Sequence, residues 1–136
     1  MIPGSPPIVP KAPDGPLRVI VIGSLAQVAA YLDSVCHGRV MIRVYPASGS
    51  SRKRRQQALR EILPVLHAGD TDLVIASDAT RIARDPWSQF EFAEEARRLG
   101  TRVIFASEGI DTSLDSWELR QEITAVASRI RRVPSE

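Results

Sequence analysis

The sequence is short of the residues that build metal and disulfide sites. A single cysteine, Cys36, excludes a disulfide framework, and with only His37 and His67 as histidines no thiol–imidazole metal cluster can form. No apolar run approaches the ~20 residues that a bilayer span needs, and the N-terminus lacks the apolar core of a signal peptide. Neither G-x-G-x-x-G nor G-x-x-x-x-G-K-[ST] occurs, which sets ordinary nucleotide binding aside. What remains is a chain of 136 residues, 43% hydrophobic and 25% charged, sized for one hydrophobic core. The expectation is a cytoplasmic domain with no membrane segment, no metal and no cofactor.

Lysine is scarce as well. Lys11 and Lys53 are the only lysines among 18 Lys and Arg, in a chain of net charge +2. Arginine carries a planar fork of donors matched to phosphate, so the skew points to a nucleic-acid or nucleotide partner. A GC-rich coding sequence would produce the same skew, so where the arginines lie carries more weight than how many there are.

Residues 1–16 hold six of the ten prolines and show no periodicity, which predicts a disordered or polyproline-II leader. The rest, 17–136, reads as one domain. Arg18–Gly23 (RVIVIG) is a continuous β-branched run, as in a strand buried on both faces. Ser24 opens a helix with Leu25, Val28, Ala29 and Leu32 on one face. Arg39–Tyr45 is a second strand, stopped by Pro46. Ser50 or Ser51 caps a helix to about His67, with Leu59, Ile62, Leu63 and Leu66 inward and Gly69 ending it. Asp72–Ala76 is a third strand, Pro86–Leu99 a helix closed by Gly100, and Thr101–Ala106 a fourth strand. After a loop at Glu108–Ser113, a last helix over about Leu114–Arg132 carries Leu119, Ile123, Val126 and Ile130 on a heptad-like stripe fit for assembly. Strand–helix alternation of this kind predicts an α/β fold: an open, mostly parallel sheet with helices on both faces.

In such sheets ligands bind beyond the carboxyl ends of the strands. Ser24 follows the first strand. Ala47-Ser48-Gly49-Ser50-Ser51 and the run Arg52-Lys53-Arg54-Arg55 follow the second. Ser77-Asp78-Ala79-Thr80-Arg81-Ile82-Ala83-Arg84-Asp85 follows the third, and Glu108-Gly109-Ile110-Asp111-Thr112-Ser113 the fourth. Hydroxyls and arginines would thus gather on one rim, while both histidines fall outside it. Four cations at a helix N-terminus oppose the helix dipole at about 0.3–1 kcal/mol each, a cost that an anion such as a DNA phosphate would remove. A solvated helix start that tolerates the repulsion is the other reading. Arg81 and Arg84 are spaced to converge on one phosphoryl group, or to pair separately with Asp78 and Asp85.

Ala47-Ser48-Gly49-Ser50-Ser51, Arg54, Arg81-Ile82-Ala83-Arg84-Asp85 and Glu108–Ser113, in that order and spacing, resemble the catalytic domain of the serine site-specific recombinases, the resolvase/invertase family. The resemblance covers roughly Arg18–Arg132. It implies a resolvase-like parallel-sheet domain followed by a long helix for dimer or tetramer assembly, acting on DNA without metal or cofactor. It implies Ser24 as the nucleophile that forms a 5′-phosphoserine link, with Arg54, Arg81 and Arg84 holding the phosphate and stabilising the leaving group. Arg52, Lys53 and Arg55 are expected to contact neighbouring DNA phosphates. The chain to Glu136 is expected to carry no separate DNA-binding domain.

Four positions depart from the family pattern. The nucleophile motif, roughly tyrosine, any residue, arginine, hydrophobic, serine, is here Ile20-Val21-Ile22-Gly23-Ser24, so Ile22 stands in place of arginine. Thr80 stands where an aspartate precedes the first arginine, Trp117 where glycine is customary, and Ser128–Arg132 replaces an acidic helix ending. These departures leave two functions open, a DNA strand transferase and a recombinase-derived protein that binds DNA or assembles without catalysis. A third is a protein–protein module whose arginines are held in ion pairs.

Overall fold

The computed structural model describes residues 6–12, 14–46, 51–114 and 117–118. In chain order these form β1 (Leu17–Ile22), α1 (Leu25–Val35), β2 (Val40–Tyr45), α2 (Arg52–His67), β3 (Leu73–Ala76), a 3-10 turn (Ala79–Arg81), α3 (Pro86–Arg98), β4 (Arg102–Phe105) and β5 (Ile110–Asp111). The sheet order is β2-β1-β3-β4-β5. The first four strands run parallel, and β5 returns antiparallel to β4. This is the expected α/β architecture, with α1 on one face and α2 and α3 on the other.

Alternation along the strands feeds two cores. Ile20, Ile22, Val74, Ala76, Val103 and Phe105 face α2 and α3, meeting Ile62, Leu66, Phe92, Ala93 and Ala96. Val19, Val21, Leu73, Ile75 and Ile104 face the other way, toward Val28, Leu32 and Val35 of α1. Because both faces are covered, β3 and β1 beyond Arg18 are apolar at every position, which is why they read as apolar runs. Each of these fully buried Ile or Leu side chains contributes about 1.5–3 kcal/mol.

Several expectations are corrected. The inward face of α1 is Val28, Tyr31, Leu32 and Val35, while Leu25 and Ala29 are exposed. Leu25 is in the first helical turn at the rim, beyond the reach of the sheet. Among the described residues β2 is an edge strand, paired with β1 alone, and Met41–Val44 are exposed. The segment read as a loop after β4 contains β5. The leader is not disordered over its described part: the Ile8 N–H donates to Val35 O at 2.8 Å, the Lys11 N–H to Asp72 Oδ1 at 2.8 Å, and Arg102 Nη1 to Pro6 O at 2.6 Å. Prolines remove donors but leave carbonyls, and Ile8 adds an apolar anchor on the α1 core. The last helix is described only at Trp117–Glu118, so the stripe Leu119–Ile130 lies outside the described residues, as does 47–50.

Candidate phosphate site at the carboxyl rim

Strand order reverses direction between β1 and β3, because β2 lies on one side of β1 and β3 on the other. The crevice at that switch is where an open α/β sheet receives a ligand. Ser24 stands at one lip and Ser77–Arg84 at the other.

Ser24 is the N-cap of α1. Its Oγ accepts from the Gln27 N–H at 3.4 Å, a long contact that leaves the hydroxyl proton uncommitted, and the residue is half-buried rather than enclosed. Its backbone is pinned from both sides. The Gly23 N–H donates to Tyr45 O at 2.8 Å, and the Ser77 N–H donates to Ile22 O at 3.0 Å. The first-turn N–H groups of α1 give this point a partial positive charge of about half an elementary unit. An oxyanion is welcome there.

Gly23 lets the Arg81 stem pack against the backbone just before Ser24. Its φ of 111° lies in the region that side chains avoid, and a Cβ there would collide with the Ser77 hydroxyl and sit 3.6 Å from Arg81 Cγ. The stem of Arg81 therefore packs beside the residue just before Ser24. Ser77 itself is 5% exposed, and its Oγ is buried without a hydrogen-bond partner.

Two carboxylates fix the turn that carries Arg81. Asp78 accepts from the Thr80 N–H at 3.1 Å and from the Thr80 hydroxyl, and its other oxygen accepts from Arg81 Nε at 3.3 Å. Glu108 accepts from the Ala79 N–H with both oxygens at 3.1 Å. Burial pushes the Glu108 carboxyl above its usual range, the N–H groups of Ala79 and of Glu108 itself oppose this, and the nearby Asp78 charge adds to it. Asp78 thus supplies a carboxylate for Arg81 from two positions before Thr80. The acidic partner is displaced in sequence but present in space.

Arg84 is exposed, and the preceding Ala83 carbonyl is held at 2.8 Å by Nε2 of the buried Gln89. Asp85 then caps α3, accepting from the Ser88 N–H at 3.1 Å. Arg54 lies in the first turn of α2 above the carboxyl end of β2, exposed, with its N–H donating to Ser51 Oγ at 3.2 Å. Arg54, Arg81 and Arg84 each make interactions within the protein, and the Arg81 guanidinium is paired with Asp78, so a phosphate arriving at Arg81 would exchange contacts rather than meet a bare charge. Two described grooves flank β2, and neither is lined by Ser24 or these arginines.

In the basic run, Arg52 and Lys53 are exposed, as a DNA-facing role requires. Arg55 is not: it is 6% exposed, and the reading of it as a DNA-phosphate ligand is corrected. Its spacing to Leu59, Ile62 and Leu66 places it on the inward stripe of α2, a signal present in the sequence. His67 lies at the opposite end of the sheet, 3.6 Å from Glu95. Ser77, Asp78 and Glu108 lie on the rim expected from the strand ends, but their roles in holding the Arg81 turn, and that of Gly23, are visible only in the structure.

Ile22 is 1% exposed and packs in the α2–α3 core. The position that carries arginine in the family pattern is here part of the apolar interior. Among the described residues, no helix is long and apolar enough to cross a membrane.

No curated protein matches the sequence. Among solved structures, the N-terminal catalytic domain of TP901-1 integrase is similar at a TM-score of 0.56 and 15% identity, over 85% of this chain and 95% of that one. At that identity the likeness shows the fold. The family model for the resolvase N-terminal domain matches residues 23–133, from the glycine before Ser24 nearly to the end of the sequence, and the chain therefore belongs to the resolvase N-terminal-domain family.

Proposed function

We propose that the chain breaks and rejoins DNA by phosphoryl transfer through Ser24, the chemistry of serine recombinases. The observation that carries this reading is the β1–β3 crevice, where Ser24 caps a helix N-terminus and the Arg81 stem packs against the preceding Gly23. In the step proposed, Ser24 Oγ gives up its proton and bonds to phosphorus. The bond from phosphorus to the 3′ oxygen breaks, leaving a free 3′-hydroxyl and a 5′-phosphoserine. Attack by a 3′-hydroxyl reverses it. One phosphoester replaces another in each direction, so rejoining draws on no external energy source. Arg54, Arg81 and Arg84 would neutralise the phosphoryl oxygens and the leaving oxygen, since such a transition state asks chiefly for positioning and positive charge.

A second reading is favoured by the burial of Ile22. Loss of one guanidinium from a phosphate cage is worth several kcal/mol of transition-state stabilisation, and a protein that kept only DNA association would tolerate it. The protein–protein reading is the least supported, since Arg52 and Lys53 are exposed at the rim.

The test is covalent trapping on a nicked duplex, read on a denaturing gel. An adduct present in the wild type and absent in Ser24→Ala is the expected result. Salt-dependent binding with no adduct in either protein would establish the second reading instead, and no DNA binding at all would leave the third.

A further inference from the structure

The described tryptophans, Trp87 and Trp117, belong to one aromatic column. Trp87 stacks on Phe90 with ring centroids 5.8 Å apart and planes 22° apart, and Phe90 stacks on Trp117 at 5.3 Å and 21°. The inner end is sealed, for Trp117 is 3% exposed. The outer end is open, for Trp87 is 66% exposed. Trp117 occupies the position where the family pattern has glycine, so this column is built partly from one of the sequence's departures.

A single exposed apolar side chain is unremarkable on a protein surface. This one is held in place. Pro86 fixes the first position of α3, and Asp85 caps it through the Ser88 N–H and hydroxyl at 3.1 and 3.2 Å. The ring is clamped from below by Phe90, so it has little rotamer freedom left to lose on binding. It also stands at the rim. Arg84 and Trp87 are three residues apart, so their Cα atoms are separated by at most about 11 Å. That span is about three base steps of a duplex at ~3.4 Å each. A flat π-face beside phosphate-directed guanidinium groups is the combination that holds unpaired nucleobases.

We infer that Trp87 is a stacking platform for a nucleobase of the DNA strand whose phosphate lies at Arg81 and Arg84. The inference rests on the DNA reading proposed above and adds to it which part of the substrate is grasped. Rejoining a strand to a new partner requires the bases beside the broken bond to unpair. An unpaired base exposes both π-faces to water, and the outer face of Trp87 can cover one of them. Stacking of this kind is indifferent to base identity, so the platform would favour unpaired over paired DNA without specifying sequence.

The test compares three duplexes of equal length and phosphate number, titrated against the full chain. One is fully paired, one carries a central two-nucleotide mismatch, and one has abasic sites at those two positions. Wild type is expected to bind the mismatched duplex about ten-fold more tightly than the paired or abasic ones, with quenching of tryptophan fluorescence. Trp87→Ala and Trp87→Leu should both erase that preference while leaving affinity for the paired duplex unchanged, and Trp87→Phe should keep most of it. If Trp87→Leu retains the preference, apolar covering rather than stacking is responsible and the inference fails. It also fails if Trp87→Ala lowers the oligomeric mass in sedimentation without changing the preference, which would assign the ring to contact with a second copy. If wild type binds none of the three duplexes, the DNA reading itself falls, a result distinct from either failure.

Discussion

The two ends of the sheet are built on opposite plans. At the amino end, charges are matched and closed in. Asp72, almost fully buried, accepts from the N–H groups of Lys11 and Arg18 at 2.8 and 2.7 Å, and the Arg18 guanidinium reaches Asp70 at 3.4 Å. Arg102 meets the fully buried Asp111 at 2.9 and 2.5 Å, and Pro6 in the leader accepts from the same guanidinium. At the carboxyl end Arg52, Lys53, Arg54, Arg81 and Arg84 stand against Asp78, Asp85 and Glu108, and the buried Ser77 hydroxyl lacks a partner. One end is committed to holding the chain together. The other carries more cations than carboxylates, as a surface that receives an anion must.

The sharpest way to break this contrast is to open the closed end. Arg102→Met leaves Asp111 buried without its cation and should cost about 3–5 kcal/mol in denaturant unfolding. It should also move acid unfolding to higher pH. Burial pushes the Asp111 carboxyl up, but hydrogen bonds from Arg102 and Ser113 together outweigh it, and the net position is below the ordinary value of 3.8. A carboxyl depressed in the fold contributes stability above its unfolded pKa and loses it as pH falls through the folded one. Removing Arg102 takes that depression away. An unchanged acid transition would show that the pair does not anchor this end.

A smaller loss is expected at the open end. Gly23→Ala forces a side chain into a left-handed backbone and against Ser77, at about 1–3 kcal/mol. Stability equal to the wild type would mean the Gly23–Ser77–Arg81 contact does not hold the crevice. Arg52→Ala and Lys53→Ala should leave folding intact and each lower the salt dependence of DNA binding by about 0.9 in log–log slope. Arg55→Ala, on the buried stripe, should instead lower the unfolding midpoint. A drop in slope for Arg55→Ala at unchanged stability would reverse that assignment.

The smallest change runs in the opposite direction. With its carboxyl raised by burial, Glu108 contributes stability below its ordinary value near 4.5 and loses it as pH rises through the raised one. Glu108→Gln keeps an acceptor for the Ala79 N–H and should be slightly more stable than wild type at pH 7, with a flatter profile between pH 4.5 and neutrality. A less stable variant would mean that the charge itself is needed to hold the turn.

The sequence made the fold legible because β1 and β3 are covered on both faces, so Val19–Ile22 and Leu73–Ala76 are apolar throughout. Caps were equally readable: Ser24, Ser51 and Asp85 start α1, α2 and α3, and Gly69 and Gly100 follow α2 and α3 with φ of 75° and 81°. β5 was missed because two residues are too few for any periodicity to register. The contacts of the leader, Ile8 with Val35 and the Lys11 N–H with Asp72, were not legible because the partners are far away in sequence. At the site, residue types after each strand pointed to the rim, but Ser77 and Gly23 act through a contact between neighbouring strands, which only the sheet order discloses. Arg55 was assigned to the surface on charge alone, against a helical period that already placed it inside.

β2 has one further consequence. It pairs only with β1 among the described residues, and Met41, Ile42 and Val44 are 62%, 44% and 40% exposed along it. A strand with an open hydrogen-bonding edge and apolar side chains on both faces is a template for intermolecular sheet growth. Two features restrain it. Pro46 ends the strand without a donor, and Arg43 places a charge mid-strand that would repeat along any stack of copies, its guanidinium turned toward the Tyr45 hydroxyl at 3.4 Å. The placement of Arg43 is thus a colloidal as well as a structural matter: a copy stacking on this edge would have to bring like charges together.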